Sequence, residues 1–213
     1  MTSSVAGTLA DGPAARLAAI RVLRDGGIVA LPTDTVYGLA VAMATEGGIE
    51  RLFEAKRRPA DRAVPVLLAD AEQAGTIADL TPVARRLADA FWPGGLTLVL
   101  AQRPDRPLPD ALTGGRSTIG VRVPDHPAPR ALATALGPLP TTSANISGEP
   151  EAADAAAIGR LFGEAVDLIL DGGPALGGPA STVVDATGAE PRVLREGAIP
   201  ARMIESVVRD MGR

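Results

Sequence analysis

Two hydroxyl-rich turns and one cluster of cations carry the chemically capable side chains of this 213-residue sequence. The first turn lies in GGIVALPTDTVYGL, residues 26–39, where Thr33, Asp34, Thr35 and Tyr37 follow the apolar run Ile28–Leu31. Pro32 lacks a backbone donor and ends regular strand pairing there. Hydroxyls and a carboxylate at the end of a buried strand stand where open α/β sheets collect ligands. The same residues also suit an ordinary Asx or ST turn anchored by Tyr37. The cations come next: Lys56, Arg57, Arg58 and Arg62 put four positive charges into seven residues. Arginine forks match phosphate or carboxylate and lysine supplies a mobile point charge, although cations also complement the dipole of a helix end. Ser143-Ala144-Asn145 begins the second hydroxyl-rich turn, Ser181-Thr182 follows the glycine-rich stretch Gly172–Pro179, and Arg195 precedes Glu196-Gly197. Taken together, these groups describe a pocket for anions built from side chains.

Several other chemistries are excluded. Without cysteine there is no disulfide, no thiolate nucleophile and no Cys-ligated zinc. The single histidine, His126, sits between Asp125 and Pro127, and no GxSxG elbow offers it a serine, so it reads as a turn residue. Gly172 and Gly177 have the glycine spacing of a P-loop, but Gly178-Pro179 stands where Lys-Ser/Thr is required. No GxGxxG follows a strand either. A net charge of −4 argues against a surface that is wholly a nucleic-acid platform and leaves room for a local basic patch. The start, MTSSVAGTLADG, has neither the basic residues nor the apolar stretch of a signal or transit peptide. With no run long enough to span a bilayer, a cytoplasmic location is expected.

The elements that must position these groups alternate between helix and strand. Hydrophobic residues make up 46% of the chain, with only three Phe, one Trp and one Tyr, so the core must be aliphatic, as in α/β domains. The pattern predicts a flexible lead over residues 1–12 and one domain over 13–210. Helices are expected at Pro13–Arg24 (with Leu17, Ile20 and Leu23 inward), after a Thr45 cap, from Thr81-Pro82 to Phe91, at Pro129–Leu136, near Asp154–Phe162 and at Pro200–Arg209. Strands are expected at Ile28–Leu31, Ala63–Leu68, Leu96–Ala101, Thr118–Val123, Leu139–Thr142, Val166–Leu170, Ser181–Val184 and Arg192–Leu194.

PTDTVYGL, KRRP, SANISG, STVVD and VLREG, in this order over nearly the whole chain, closely resemble the YrdC-like threonylcarbamoyl-adenylate synthases in their short, single-domain form. The resemblance implies a twisted mixed α/β sheet flanked by helices, with a large concave, electropositive cleft. It also implies a nucleotidyltransferase that makes threonylcarbamoyl-adenylate and pyrophosphate from L-threonine, bicarbonate and ATP, with Mg2+ accompanying the ATP. The product would serve t6A modification at position 37 of tRNA through a partner transfer complex, so tRNA is reached indirectly.

Carried over residue by residue, the resemblance assigns ATP to Lys56, Arg58, Arg62, Thr118, Ser143, Asn145 and Arg195, with Lys56, Arg58, Ser143 and Asn145 as the catalytic KxR…SxN set. It assigns threonine to Thr35, Arg122, Thr141 and Ser181, Arg122 being the partner for the carboxylate, and it assigns no protein metal site. Two positions depart from the pattern. Leu67 lies near where many relatives carry a histidine, and Glu151 stands where relatives often carry serine near the nucleotide. The rival readings are a non-catalytic RNA- or nucleotide-binding paralogue and a hydrogenase-maturation type of carbamoyl transfer. The second lacks here the acylphosphatase and zinc-finger segments that accompany it.

Overall fold

The computed structural model describes residues 7–57, 59, 62–175 and 178–209. Its strands are β1 (Gly7–Ala10), β2 (Val29–Leu31), β3 (Gly38–Ala40), β4 (Val66–Leu67), β5 (Ala78–Asp79), β6 (Leu96–Gln102), β7 (Thr118–Arg122), β8 (Leu139–Ser143), β9 (Leu168–Asp171), β10 (Thr182–Asp185) and β11 (Arg192–Arg195). The helices are α1 (Pro13–Arg24), α2 (Gly48–Lys56), α3 (Ala71–Ala74), α4 (Pro82–Phe91), α5 (Asp110–Thr113), α6 (Pro127–Leu136), α7 (Ala155–Phe162) and α8 (Ala201–Arg209). Among the described residues the strands form one mixed sheet, ordered β1-β9-β2-β3-β8-β4-β7-β6-β10-β11, with β5 paired to β6.

The apolar run 28–31 lacks alternation because both of its faces are covered. Val29 and Leu31 pack with α1 and α6, while Ile28 and Ala30 join the larger core on the opposite face, with residues of α2, α4 and α7. That larger core continues under the far half of the sheet through Leu96, Leu98, Leu100, Ile119, Val121 and Val184. The alternate residues of the same strands, Val99, Ala101, Thr118, Gly120, Val183 and Asp185, are only partly buried. One face of the sheet is thus helix-covered at the β9-β2-β3 end and open further along, as expected where strands pass from continuous to alternating apolarity. The expected mixed sheet with a concave cleft is present, and the cleft is this open face.

Local signals explain most element ends. Pro13 starts α1, and Thr81 caps α4 by accepting the Ala84 N–H at 3.1 Å, with Pro82 at the first helical position. Asp154 caps α7 in the same way, from Ala157 N–H at 2.7 Å. Three expectations need correction. Residues 7–10, placed in a flexible lead, form β1, which pairs in parallel with β9 from Gly7 opposite Leu168 to Ala10 opposite Asp171. Thr45 caps no helix: its carbonyl closes a turn by accepting the Gly48 N–H, and α2 begins after Gly47, whose φ of 67° suits glycine. Leu17 is 58% exposed, because α1 lies on the sheet through Ala15, Ala19, Ile20 and Leu23, and its alanines allow close approach. Among the described residues no helix is long and apolar enough to cross a membrane.

His126 is more than a turn residue. Its Nδ1 accepts the Ala128 N–H at 3.1 Å and so caps α6, a role that requires an unprotonated ring nitrogen. Burial pushes its pKa down, with Asp11 opposing and Arg16 reinforcing. The unfolded imidazole, with pKa about 6.5, therefore binds protons more readily than the folded one, and the folded state loses stability as pH falls below about 6.5. His126→Asn retains a capping side chain without titrating. Thermal unfolding followed by circular dichroism between about pH 8 and 5 should show a shallower loss in this variant than in the parent protein.

Candidate active site

The open face holds a cleft of about 240 Å3. Thr33, Thr35, Thr97, Arg122, Thr141, Ser143, Ser181 and Arg195 contribute its polar wall, and Val36, Ala63, Pro65 and Leu67 part of its apolar wall. The sheet explains the convergence. Arg122, the last residue of β7, lies opposite Leu67 of β4 in register, so both side chains emerge on one face. Thr141 and Ser143 alternate along β8, and Gly38 on β3 faces Ser143 in register. A Cβ at Gly38 would stand 2.6 Å from Thr141 Cγ2, so this threonine depends on glycine beside it.

Arg122 is 6% exposed and joins three segments. Its Nε donates to Gly94 O at 2.9 Å, Nη1 to Thr35 Oγ1 at 2.9 Å, and Nη2 to Asp34 Oδ1 at 2.7 Å. A guanidinium has five N–H groups, so two remain for a ligand. Burial pushes its pKa down, Asp34 opposes that shift, and the neighbouring Arg195 adds to it. Asp34 is therefore the counter-charge that lets this cation stay buried. Beside it, Thr33 Oγ1 donates to Val36 O at 2.7 Å and accepts the Thr35 N–H at 3.1 Å, as in an ST turn. Tyr37 is the expected anchor: its hydroxyl donates to Gly173 O at 2.6 Å and accepts the Gly172 N–H at 3.0 Å. Burial pushes its phenol pKa up.

Lys56, Ser143 and Asn145 form one network. Asn145 Oδ1 accepts from Lys56 Nζ at 3.0 Å and from Ser143 Oγ at 2.6 Å, and Lys56 Nζ also donates to the Ser143 carbonyl. The Asn145 amide donates to Ile146 O and Glu149 O, which fixes the turn after β8. Lys56 is 1% exposed and lies beneath the cleft wall, so in this arrangement it reaches the cleft through Ser143. Arg62 is exposed, and Thr118 starts β7 four residues before Arg122 on the same strand face; neither lines the cleft. Arg58 lies outside the described residues.

At the other end, residues 195–199 are laced to the start of β10. Arg195 Nη2 donates to Ser181 O at 2.8 Å, Ala198 N to Ala180 O at 2.9 Å, and Thr182 Oγ1 accepts from Gly197 N and Ile199 N while donating to Ile199 O. A Cβ at Gly197 would lie 2.1 Å from Ala180 O, so only glycine fits there. Ser181 Oγ meets Thr97 Oγ1 at 2.8 Å.

The sequence placed Thr33 and Asp34 in a turn suited to ligands without a specific contact for either, and Thr97 was given no role. A threonine inside the apolar run of β6 was the available signal for Thr97. Glu151 and Leu67, the two departures, both line the cleft. Among the described residues no three His, Cys, Asp or Glu side chains cluster as a metal site.

The fold and this site define an α/β protein whose open sheet face forms a hydroxyl- and cation-lined cleft suited to anionic ligands. The family model Sua5_yciO_yrdC, described as "Telomere recombination", matches residues 21–197, and the chain belongs to that family. It is 40% identical to the threonylcarbamoyl-AMP synthase of Pyrococcus abyssi over 188 residues, 87% of this chain and 55% of that protein. It is 37% identical to a putative threonylcarbamoyl-AMP synthase of Mycobacterium tuberculosis over 193 residues, 90% of this chain and 88% of that protein. The crystal structure of P. abyssi Sua5 complexed with L-threonine superposes with a TM-score of 0.86 at 37% identity, covering 96% of this chain and 61% of that one. The chain thus spans little more than half of the P. abyssi relative.

Asp34 offers a direct test of the site's architecture. Asp34→Ala leaves the buried Arg122 without its counter-charge and should cost about 3–5 kcal/mol in chemical denaturation. Asp34→Asn, which keeps an oxygen acceptor, should cost less than the alanine variant.

Proposed function

We propose that this chain is an L-threonylcarbamoyladenylate synthase, a nucleotidyltransferase that joins L-threonine, bicarbonate and ATP with release of pyrophosphate. The observation that carries this reading is the convergence of Thr35, Arg122, Thr141, Ser143, Ser181 and Arg195 on one cleft. These residues come from separate parts of the chain, and Thr35, Ser143, Ser181 and Arg195 stand in the motifs that resemble those of the synthases. The names of the P. abyssi and M. tuberculosis relatives support the same activity.

In this reading bicarbonate loses hydroxide to supply carbon dioxide, and the neutral threonine amine adds to its carbon with loss of one proton to give a carbamate. A carbamate oxygen then attacks the α-phosphorus of ATP, and the bond to pyrophosphate breaks. The carbamate, the threonine carboxylate, ATP and pyrophosphate are all anionic groups, so the protein's work is positioning and charge neutralisation. The two uncommitted N–H groups of Arg122 suit the amino-acid carboxylate, with Thr35, Thr141 and Ser181 around the rest of the molecule. Arg195 faces the triphosphate at the cleft mouth, and Ser143 offers its hydroxyl there, backed by Lys56 and Asn145. Arg58, Arg62 and Thr118 are assigned to ATP from the family resemblance alone.

Magnesium enters with ATP as part of the substrate, held by phosphate oxygens. Glu151 is the one carboxylate among the cleft-lining residues, a donor set that fits a substrate-borne ion. The adenylate would pass to a transfer complex that modifies adenosine 37 of tRNA in the cytoplasm.

The test is pyrophosphate release by the purified chain supplied with MgATP, with threonine and bicarbonate each omitted in turn. Release that requires both supports the synthase; release indifferent to threonine, or none, defeats it. Two variants then separate the roles. Arg195→Ala should raise KM for ATP about ten- to a hundredfold, the loss expected for one charge-assisted bond of about 1.5–3 kcal/mol. Glu151→Ser removes a like charge from an exposed position and should lower KM for ATP by about fivefold at most.

A further inference from the structure

Resting on the reading of this cleft as an amino-acid site, we infer that Thr33 is a positioning residue that fixes the hydroxyl polarity of Thr35. Thr35 then presents only a lone pair to the cleft and receives an N–H of the substrate's amino group. Proton count sets this polarity. A threonine hydroxyl has one proton and two lone pairs. Thr33 commits its proton to the Val36 carbonyl, an acceptor only, at 2.7 Å. Its oxygen lies 3.2 Å from Thr35 Oγ1, so the proton between the two hydroxyls belongs to Thr35. The Thr35 N–H at 3.1 Å takes the other lone pair of Thr33, which completes that hydroxyl.

Thr35 has therefore spent its proton on Thr33. One of its lone pairs accepts from Arg122 Nη1 at 2.9 Å, and the other is left. Both threonines line the cleft. A lone pair repels carboxylate and phosphate oxygens and accepts from an ammonium or amine. Arg122, one hydrogen bond away, has N–H groups left and so takes the carboxylate. The pair thus reads an α-amino acid head group by polarity: acceptor toward nitrogen, donors toward the acid. Reversing the Thr35 hydroxyl would cancel that discrimination without moving an atom heavier than hydrogen.

The test measures binding, so it does not depend on turnover. Calorimetric affinities are compared for L-threonine and (R)-3-hydroxybutanoate, its counterpart without the amino group, in the parent protein and in Thr33→Val, Thr33→Ser, Thr35→Val and the Thr33→Val/Thr35→Val double variant. The parent protein should prefer threonine by about ten- to a hundredfold. Thr33→Val should narrow that preference by weakening threonine alone, and Thr33→Ser should restore it. The double variant should bind threonine no more weakly than Thr35→Val, because Thr33 acts through Thr35. Equal weakening of both ligands by Thr33→Val, or additive losses in the double variant, overturns the inference while leaving the amino-acid site standing. A parent protein that binds neither ligand overturns the site reading and the inference together.

Discussion

A guanidinium that is 6% exposed on a sheet face requires that its charge and its N–H groups be met, and Arg122 draws two other segments to its own strand to meet them. The turn after β2 gives Asp34 and Thr35, the loop before β6 gives the Gly94 carbonyl, and β7 gives the residue itself. Burial and Asp34 pull its pKa in opposite directions, and the carboxylate that the turn holds 2.7 Å away offsets the cost of burying the charge. The turn in turn depends on Tyr37, whose hydroxyl ties it to Gly172 and Gly173 beyond β9. The order of the cleft therefore begins with a buried charge and spreads outward through hydrogen bonds.

The same logic explains how a chain with a net charge of −4 can present a site for anions. The charge balance is local. Asp34 neutralises Arg122 from beneath the cleft surface, and Lys56 lies behind Ser143, so the exposed guanidinium of Arg195 dominates the cleft mouth. The two departures from the family pattern act on this balance differently. Glu151 adds an opposing charge at the wall, whereas Leu67, in register with Arg122, keeps the floor apolar beside the cation. Low local polarity next to a buried charge strengthens whatever that charge binds.

Much of this was legible in the sequence where the determinant is local. Thr81-Pro82 announces α4 because capping and a preset φ act within four residues, and Ile28–Leu31 announces a strand covered on both sides because every residue is apolar. The hydroxyl turns were legible for the same reason. What escaped depends on partners distant in sequence. β1 is four exposed residues held by pairing with β9, some 160 positions away, and β3 is hidden inside the turn motif until β8 supplies its register. The role of Asp34 could not be read from a PTDT string, since its partner lies on β7, and the alanine face of α1 was masked by the more conspicuous Leu17.

The seam at Gly197 has a mechanical meaning. With no room for a Cβ against the Ala180 carbonyl, and with Thr182 bonded to both Gly197 and Ile199, the backbone that carries Arg195 and the backbone that carries Ser181 are one rigid piece. The backbones of the residue proposed for the nucleotide and the residue proposed for the amino acid are therefore tied together. Strain on either backbone would be passed to the other through these bonds, so the two share one anchorage at the edge of the cleft.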